Sequence, residues 1–188
     1  DNNLYDTIIS SGEVCRDSFL NNRNKLSEVG YSYYFIGQDT DKGITSKLQI
    51  NEQRNINKAN FLLVCGTRDF DHTLIHYQQE LDKALSLNLP FICANPDKVV
   101  IRKDGQLITC AGILAEYYEK NGGNVIYFGK PHQEVYKKSL RFFNSLDNKI
   151  TYENILVIGD SLETDILGAN SNGLSSLLIA EGIHKKQL

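Results

Sequence analysis

The chain has 188 residues, of which 41% are hydrophobic and 23% charged, and its formal net charge is −3. That size suits one ordinary domain or two small ones, and the composition is that of a soluble globular chain. The weak net acidity gives no sign of a general nucleic-acid or anionic-membrane binder, and apolar runs such as Phe61 to Cys65 and Ile155 to Ile158 are far too short to span a bilayer. The polar opening Asp1-Asn2-Asn3 does not resemble a secretory leader. The four cysteines form no C-x-x-C pair, and Cys65 and Cys93 sit in apolar runs, so reduced, buried thiols and a cytoplasmic compartment are expected. Methionine is absent, which reads as an excerpt of a longer protein.

In chain order, Tyr5 to Ile9 (YDTII) reads as a short strand, and Ser11 as the cap of a helix from about Glu13 to Asn21. Tyr31 to Ile36 is aromatic and strand-like, while Asp39 to Lys58 is polar and mostly without period. Phe61 to Cys65 (FLLVC) reads as a buried strand. Leu74, Ile75, Leu81, Ala84 and Leu85 place a helix over Asp71 to Leu87. Pro90 to Ala94 is the next strand, and Lys103-Asp104-Gly105 joins Val99–Ile101 to Gln106–Ile108 as a hairpin. A helix over Cys110 to Lys120 stops at Asn121-Gly122-Gly123. A strand over Asn124 to Phe128, a helix from Pro131 to about Leu146, a strand over Ile155 to Ile158, a helix over Ser161 to Asn172 and a strand over Leu174 to Ile179 complete the order. Alternation of this kind predicts an α/β protein with largely parallel sheets.

Two strand ends carry loaded loops. Gly129-Lys130-Pro131 follows NVIYF, and Gly159-Asp160-Ser161 follows ILVI. Pro131 fits the first helical position, which sets Lys130 beside a helix N-terminus, a place suited to phosphate. Asp160 also stands at a strand end, with Glu163 and Asp165 just beyond, and carboxylates converging there suit a hard cation such as Mg²⁺. Taken singly, Lys130 reads as well as a solvated lysine, and Asp160 or Ser161 as a helix cap. Together, on two strand ends of one sheet, lysine and aspartate are the chemistry of phosphoryl transfer.

The stretches GKPHQEVYKKSL and NILVIGDSLETDILGANSNGLSSLLIAEGIH resemble the last two motifs of haloacid dehalogenase superfamily phosphatases. FICANPDKVVIRKDGQLITCAGILAEYYEKNGG resembles the α/β cap of their class IIA members, the p-nitrophenylphosphatase-like enzymes. The resemblance implies an incomplete Rossmann-like core with an inserted α/β cap. The segments are core over 1–22, cap over 23–123 and core over 124–188. It implies a Mg²⁺-dependent hydrolase of a small phosphorylated metabolite and allows a homo-oligomer through the cap. Lys130 becomes the lysine that holds phosphate and nucleophile, Asp160 the Mg²⁺ ligand and Asp165 the supporting acid. Asn95 and Asp97 match the cap's N-x-D. Arg102 and Lys103 become candidate substrate contacts, though a solvated hairpin reads as well for those two.

The family's first motif, a D-x-D whose first aspartate attacks phosphorus, is not found on a core strand. Asp69-Phe70-Asp71 has the letters but sits in a loop after a cap strand. Ser10 and Ser11 stand in a context resembling the strand and helix just before the cap, later than the Ser/Thr motif. The missing portion would be two strand–helix units, about sixty residues, and the 188-residue chain alone is expected to be inactive. A non-catalytic binding module of the same fold is the alternative. Gly159-Asp160-Ser161-Leu162 also spells the GDSL esterase tag. Only 26 residues follow Leu162, too few for the rest of such a sheet, and Glu181 is the wrong acid for the required D-x-x-H with His184. His72 and His76 have a zinc-like spacing but no evident third ligand.

Overall fold

The structure is a computed structural model describing residues 4–20, 28–102, 104–147 and 150–183. The chain divides into two compact units, Cys15–Phe128 and the flanking stretches Asp1–Val14 with Gly129–Leu188. The α/β alternation expected from the sequence is present.

Helix α1 (Ser11–Leu20) is capped by Ser10, whose Oγ accepts the Glu13 N–H at 3.1 Å. The cap is thus one residue earlier than the sequence reading placed it. The strand expected at Tyr5 to Ile9 does not form; Tyr5 and Ile8 are exposed and find no strand to pair with among the described residues.

The larger unit holds a five-stranded parallel sheet in the order β2-β1-β3-β4-β7. Its strands are β1 (Ser32–Ile36), β2 (Asn51–Glu52), β3 (Phe61–Val64), β4 (Phe91–Cys93) and β7 (Val125–Tyr127). A separate antiparallel hairpin joins β5 (Val99–Ile101) to β6 (Leu107–Thr109). Every residue of β3 and β4 is buried, which explains their unbroken apolar runs. On one face Leu62, Val64, Phe91 and Cys93 pack with α2 (Gln78–Ser86) and α3 (Ala111–Lys120) through Leu81, Ala84, Leu114, Ala115 and Tyr118. On the other, Phe19 of α1 and Tyr33 lie against Phe61. Asn88, at φ 52°, reverses the chain after α2, where Leu89 N–H returns to Ala84 O at 3.1 Å. The helix expected from Asp71 starts only at Gln78, because Leu74–His76 forms a separate 3₁₀ turn.

Val125–Tyr127 pairs with Phe91–Cys93. The units therefore divide at Cys15 and at Gly129, not at the boundaries of residues 23 and 124 drawn from the sequence. Cys15, Cys65, Cys93 and Cys110 are free thiols. Burial pushes each of them up, Cys65 to about 12 and Cys110 to about 11, which keeps them protonated and unreactive. No helix among the described residues is long and apolar enough to cross a membrane.

The smaller unit pairs β8 (Leu156–Gly159) in parallel with β9 (Ser175–Leu178). Helix α4 (Gln133–Leu146) and the short α5 (Leu167–Ser171) belong to it. Tyr136, Ile155, Ala169 and Leu174 form its small core, with Val135, Leu140, Phe143 and Val157 packed around them. Strands β3 and β8 thus lie in different sheets, as a two-part molecule requires.

Candidate active site

The smaller unit gathers its polar chemistry beyond the carboxyl end of β8. Asp160 is exposed there, and the chain turns through Ser161 into a wide π-type turn over Leu162–Ile166, followed by α5. The turn delivers Asp165 inward, to 5% exposure. Its Oδ2 accepts the N–H groups of Asp160 and Ser161 at 3.1 and 3.2 Å, while its Oδ1 takes the Lys130 ammonium. A buried carboxylate is tolerable only with such partners, and here both oxygens are used. Gly159 makes room for it: a Cβ at 159 would lie 2.1 Å from Asp165 Cγ.

Lys130 follows β7, which lies in the five-stranded sheet and not, as expected from the sequence, in one sheet with β8. Gly129, at φ 116°, and a turn closed by His132 N–H to Gly129 O (2.8 Å) lead into α4 at Gln133. That turn occupies Pro131 and His132, so Pro131 is not the first helical residue, and the Lys130–Pro131 peptide is cis. The Lys130 side chain is 47% exposed, so its ammonium touches Asp165 and also solvent. Oriented by a buried anion and open on the other side, it can receive an anionic group.

Ser161 Oγ accepts the Thr164 N–H at 3.3 Å, the bond of a helix cap. Tyr136, which the sequence reading passed over, directs its hydroxyl to the carbonyls of Thr164 and Asp165 at 3.4 Å. Burial, and then the nearby Asp165 charge, push that phenol up to about 12. Ile183 N–H donates to Asp160 Oδ2 at 3.1 Å. This bond spans 23 residues and comes from a backbone group, so no side-chain signature marks it in the sequence.

Lys130, Asp160 and Asp165 are thus brought together within one unit. Asn95, Asp97 and Arg102 belong to the other unit. Asn95 Oδ1 accepts the Asp97 N–H at 3.3 Å and Asp97 O accepts the Gly112 N–H at 3.0 Å, so this N-x-D builds a turn onto α3. Arg102 lies over the Phe70 ring at 5.4 Å, with Asp104 Oδ2 3.7 Å from its Nε. Lys103 and His184 lie outside the described residues. The rings of His72 and His76 stack at 4.5 Å, with His72 Nδ1 bonded to Tyr77 OH and His76 Nδ1 accepting the Thr73 N–H. Among the described residues no group of three His, Cys, Asp or Glu is arranged to hold a metal. A second D-x-D, Asp39-Thr40-Asp41, escaped the sequence reading. It follows β1, where Asp41 caps the Gln38 N–H at 3.0 Å and Asp39 pairs with Lys42 at 3.1 Å.

The family model for HAD-hydrolase-like proteins matches residues 127–188, the stretch holding Lys130, Asp160 and Asp165. A haloacid dehalogenase-like hydrolase from Brucella suis has a similar structure, at 35% identity and a TM-score of 0.88, over 98% of this chain and 68% of that one. This chain belongs to the haloacid dehalogenase-like hydrolase family. Dihydroxyacetone phosphatase of Corynebacterium glutamicum is 29% identical over 93 residues, 50% of this chain and 32% of that protein. The ribonucleotide monophosphatase NagD of Escherichia coli K12 is 25% identical over 123 residues, 65% and 45% of the two. The chain therefore spans less than half the length of the curated relatives it matches.

Proposed function

We propose that this chain carries the lysine–aspartate part of a Mg²⁺-dependent phosphomonoester hydrolase site for a small phosphorylated metabolite. The observation that carries this reading is the Asp165 carboxylate, which holds the Lys130 ammonium with one oxygen and the Asp160 and Ser161 amides with the other. The phosphatases among the relatives give it further support.

In this reading Lys130 binds the phosphoryl oxygens and stabilises their charge. Asp165 touches no substrate; it fixes the lysine and the strand-end backbone. Asp160 is the metal ligand. Its Oδ1 has no protein partner among the described residues, since the one bond to its carboxylate engages Oδ2. Mg²⁺ commonly takes only one or two carboxylates and fills its other positions with water and phosphate, so a single carboxylate fits as a contributor. When bound, the ion neutralises charge on the phosphate. Asn95, Asp97 and Arg102 are proposed to lie on the substrate side of the cap, with roles in substrate binding.

The sequence of the smaller unit contains no D-x-D triplet. Both D-x-D triplets lie in the larger one, and Asp39 and Asp41 are engaged in local pairing and capping. The 188-residue chain alone is accordingly proposed to be inactive. The same observation favours a second reading, a non-catalytic module of this fold.

The test is hydrolysis of p-nitrophenyl phosphate with Mg²⁺ by the natural protein. Asp160→Ala is expected to lower turnover by about a hundredfold or more, and Ser161→Ala to leave it nearly unchanged. Loss of activity in Ser161→Ala with metal binding intact would restore the esterase reading. No turnover in the natural protein would establish the module.

A further inference from the structure

The segment after β9 returns to the carboxyl end of β8. Ile179 N–H donates to Gly159 O at 2.8 Å, and Gly182 N–H to Ile179 O at 3.3 Å. The turn lays Gly182 directly on Asp160. A Cβ at 182 would stand 2.1 Å from Asp160 Cβ and 2.3 Å from its Oδ2. Glycine is required here by space, because the obstacle includes the Cβ that fixes the aspartate to its backbone. The next N–H, that of Ile183, donates to Asp160 Oδ2 at 3.1 Å. An exposed aspartate otherwise samples several rotamers. Here one oxygen is committed to Ile183, and Oδ1 has no protein partner among the described residues.

We propose that Gly182 and Ile183 are positioning residues that hold the Asp160 carboxylate in one rotamer and present Oδ1 to a hard divalent cation. The inference rests on the phosphatase reading above, in which Asp160 is the metal ligand. A ligand already held in its bound geometry loses less freedom on binding. Hydrogen-bond partners behind a metal ligand have a typical effect of about 10–100-fold on affinity. The contribution of Ile183 is its backbone N–H, not its side chain. Valine therefore preserves it, and proline, which has no N–H, removes it.

The test uses the full chain with Mn²⁺ as the probe, free ion being read by electron paramagnetic resonance. The unaltered chain, Ile183→Val, Ile183→Pro, Gly182→Ala and Asp160→Asn are compared, each with its metal-free thermal unfolding. Amide exchange at Ile183 is followed without metal in the unaltered chain and in Asp160→Asn. The expected result is equal affinity for Ile183→Val and the unaltered chain, with affinity about 10–100-fold weaker for Ile183→Pro and Gly182→Ala while both remain folded at the temperature of measurement. Ile183 exchange is expected to be slow in the unaltered chain and faster in Asp160→Asn. Unchanged affinity in folded Ile183→Pro, or an Ile183 amide indifferent to Asp160→Asn, overturns the inference and leaves the phosphatase reading standing. The exchange result decides the matter even if the proline variant does not fold. Equal or absent Mn²⁺ binding in the unaltered chain and Asp160→Asn overturns the metal role of Asp160, and this inference with it.

Discussion

Strands β3 and β8 are equally apolar in sequence and differ in what covers them. β3 is buried at every position, between strands β1 and β4 and with apolar side chains on both faces. Among the described residues β8 pairs only with β9, and it leaves Leu156 and Ile158 at 53% and 59% exposure, with Leu177 of β9 at 49%. Parallel strands are apolar on both faces because both are normally covered. The apolar run therefore reports the kind of sheet a strand is made for, and the covering elements determine how much it stabilises. The larger unit carries most of the burial, while the smaller carries the lysine–aspartate chemistry.

Substitution is the most direct way to break this comparison. Leu63 is completely buried, so Leu63→Ala should destabilise the larger unit by about 2–5 kcal/mol. Ile158→Thr keeps the β-branch at an exposed position and should change the stability of the smaller unit by no more than about 0.5 kcal/mol. Urea unfolding followed by amide exchange separates the two units. A cost at Ile158 matching that at Leu63 would mean that the exposed face of β8 is covered in solution.

The smaller unit should be more sensitive to polar changes. Asp165→Ala strands the N–H groups of Asp160 and Ser161 beneath the turn and releases Lys130. The expected cost is about 1–3 kcal/mol, with amide exchange accelerating in β8 and α5 while the larger unit is unaffected. Ser161→Ala removes one cap bond of 3.3 Å and should cost about 0.5–1 kcal/mol. The reverse ranking would make the serine, not the aspartate, the organiser of this strand end.

The two regions also differ in how far the sequence revealed them. β3, β4 and α3 were legible because complete burial writes an apolar run or a helical period. The stretch Asp39 to Lys58 was not. Its 3₁₀ turns and the two-residue β2 depend on backbone bonds such as Asn51 N–H to Tyr31 O (2.7 Å), which leave no periodic trace. In the site, Lys130, Asp160 and Asp165 stood out as charged residues after apolar strands. Tyr136 was hidden as one aromatic residue on an amphipathic helix, and the Ile183 contact as a backbone donor. The pairing of Val125–Tyr127 with β4 is equally hidden, because an apolar strand does not name its partner.

A small effect is also expected in the larger unit, at the ion pair Arg68–Glu80. Both terminal guanidinium nitrogens reach the carboxylate at 2.8 Å, and Arg68 also lies over the rings of Tyr34 and Tyr77. Burial alone would raise the Glu80 carboxyl, but the hydrogen bonds and charge of Arg68 outweigh it and hold the group below its ordinary value. A carboxyl lowered in the folded state binds protons more readily when unfolded. Its contribution is therefore complete above the unfolded value, about 4.3, and is lost as pH falls through the lower folded value. The side chains are 35% and 29% exposed, so solvent screening limits the pair to about 1 kcal/mol or less. Glu80→Gln should lower the urea midpoint of the larger unit slightly at pH 7, and by the same amount at pH 5.5. The difference from the unaltered protein should shrink below pH 4 as Glu80 gains its own proton. A difference that persists undiminished to the lowest pH at which the unit stays folded would show that packing of the Glu80 side chain, not its charge, sets its contribution.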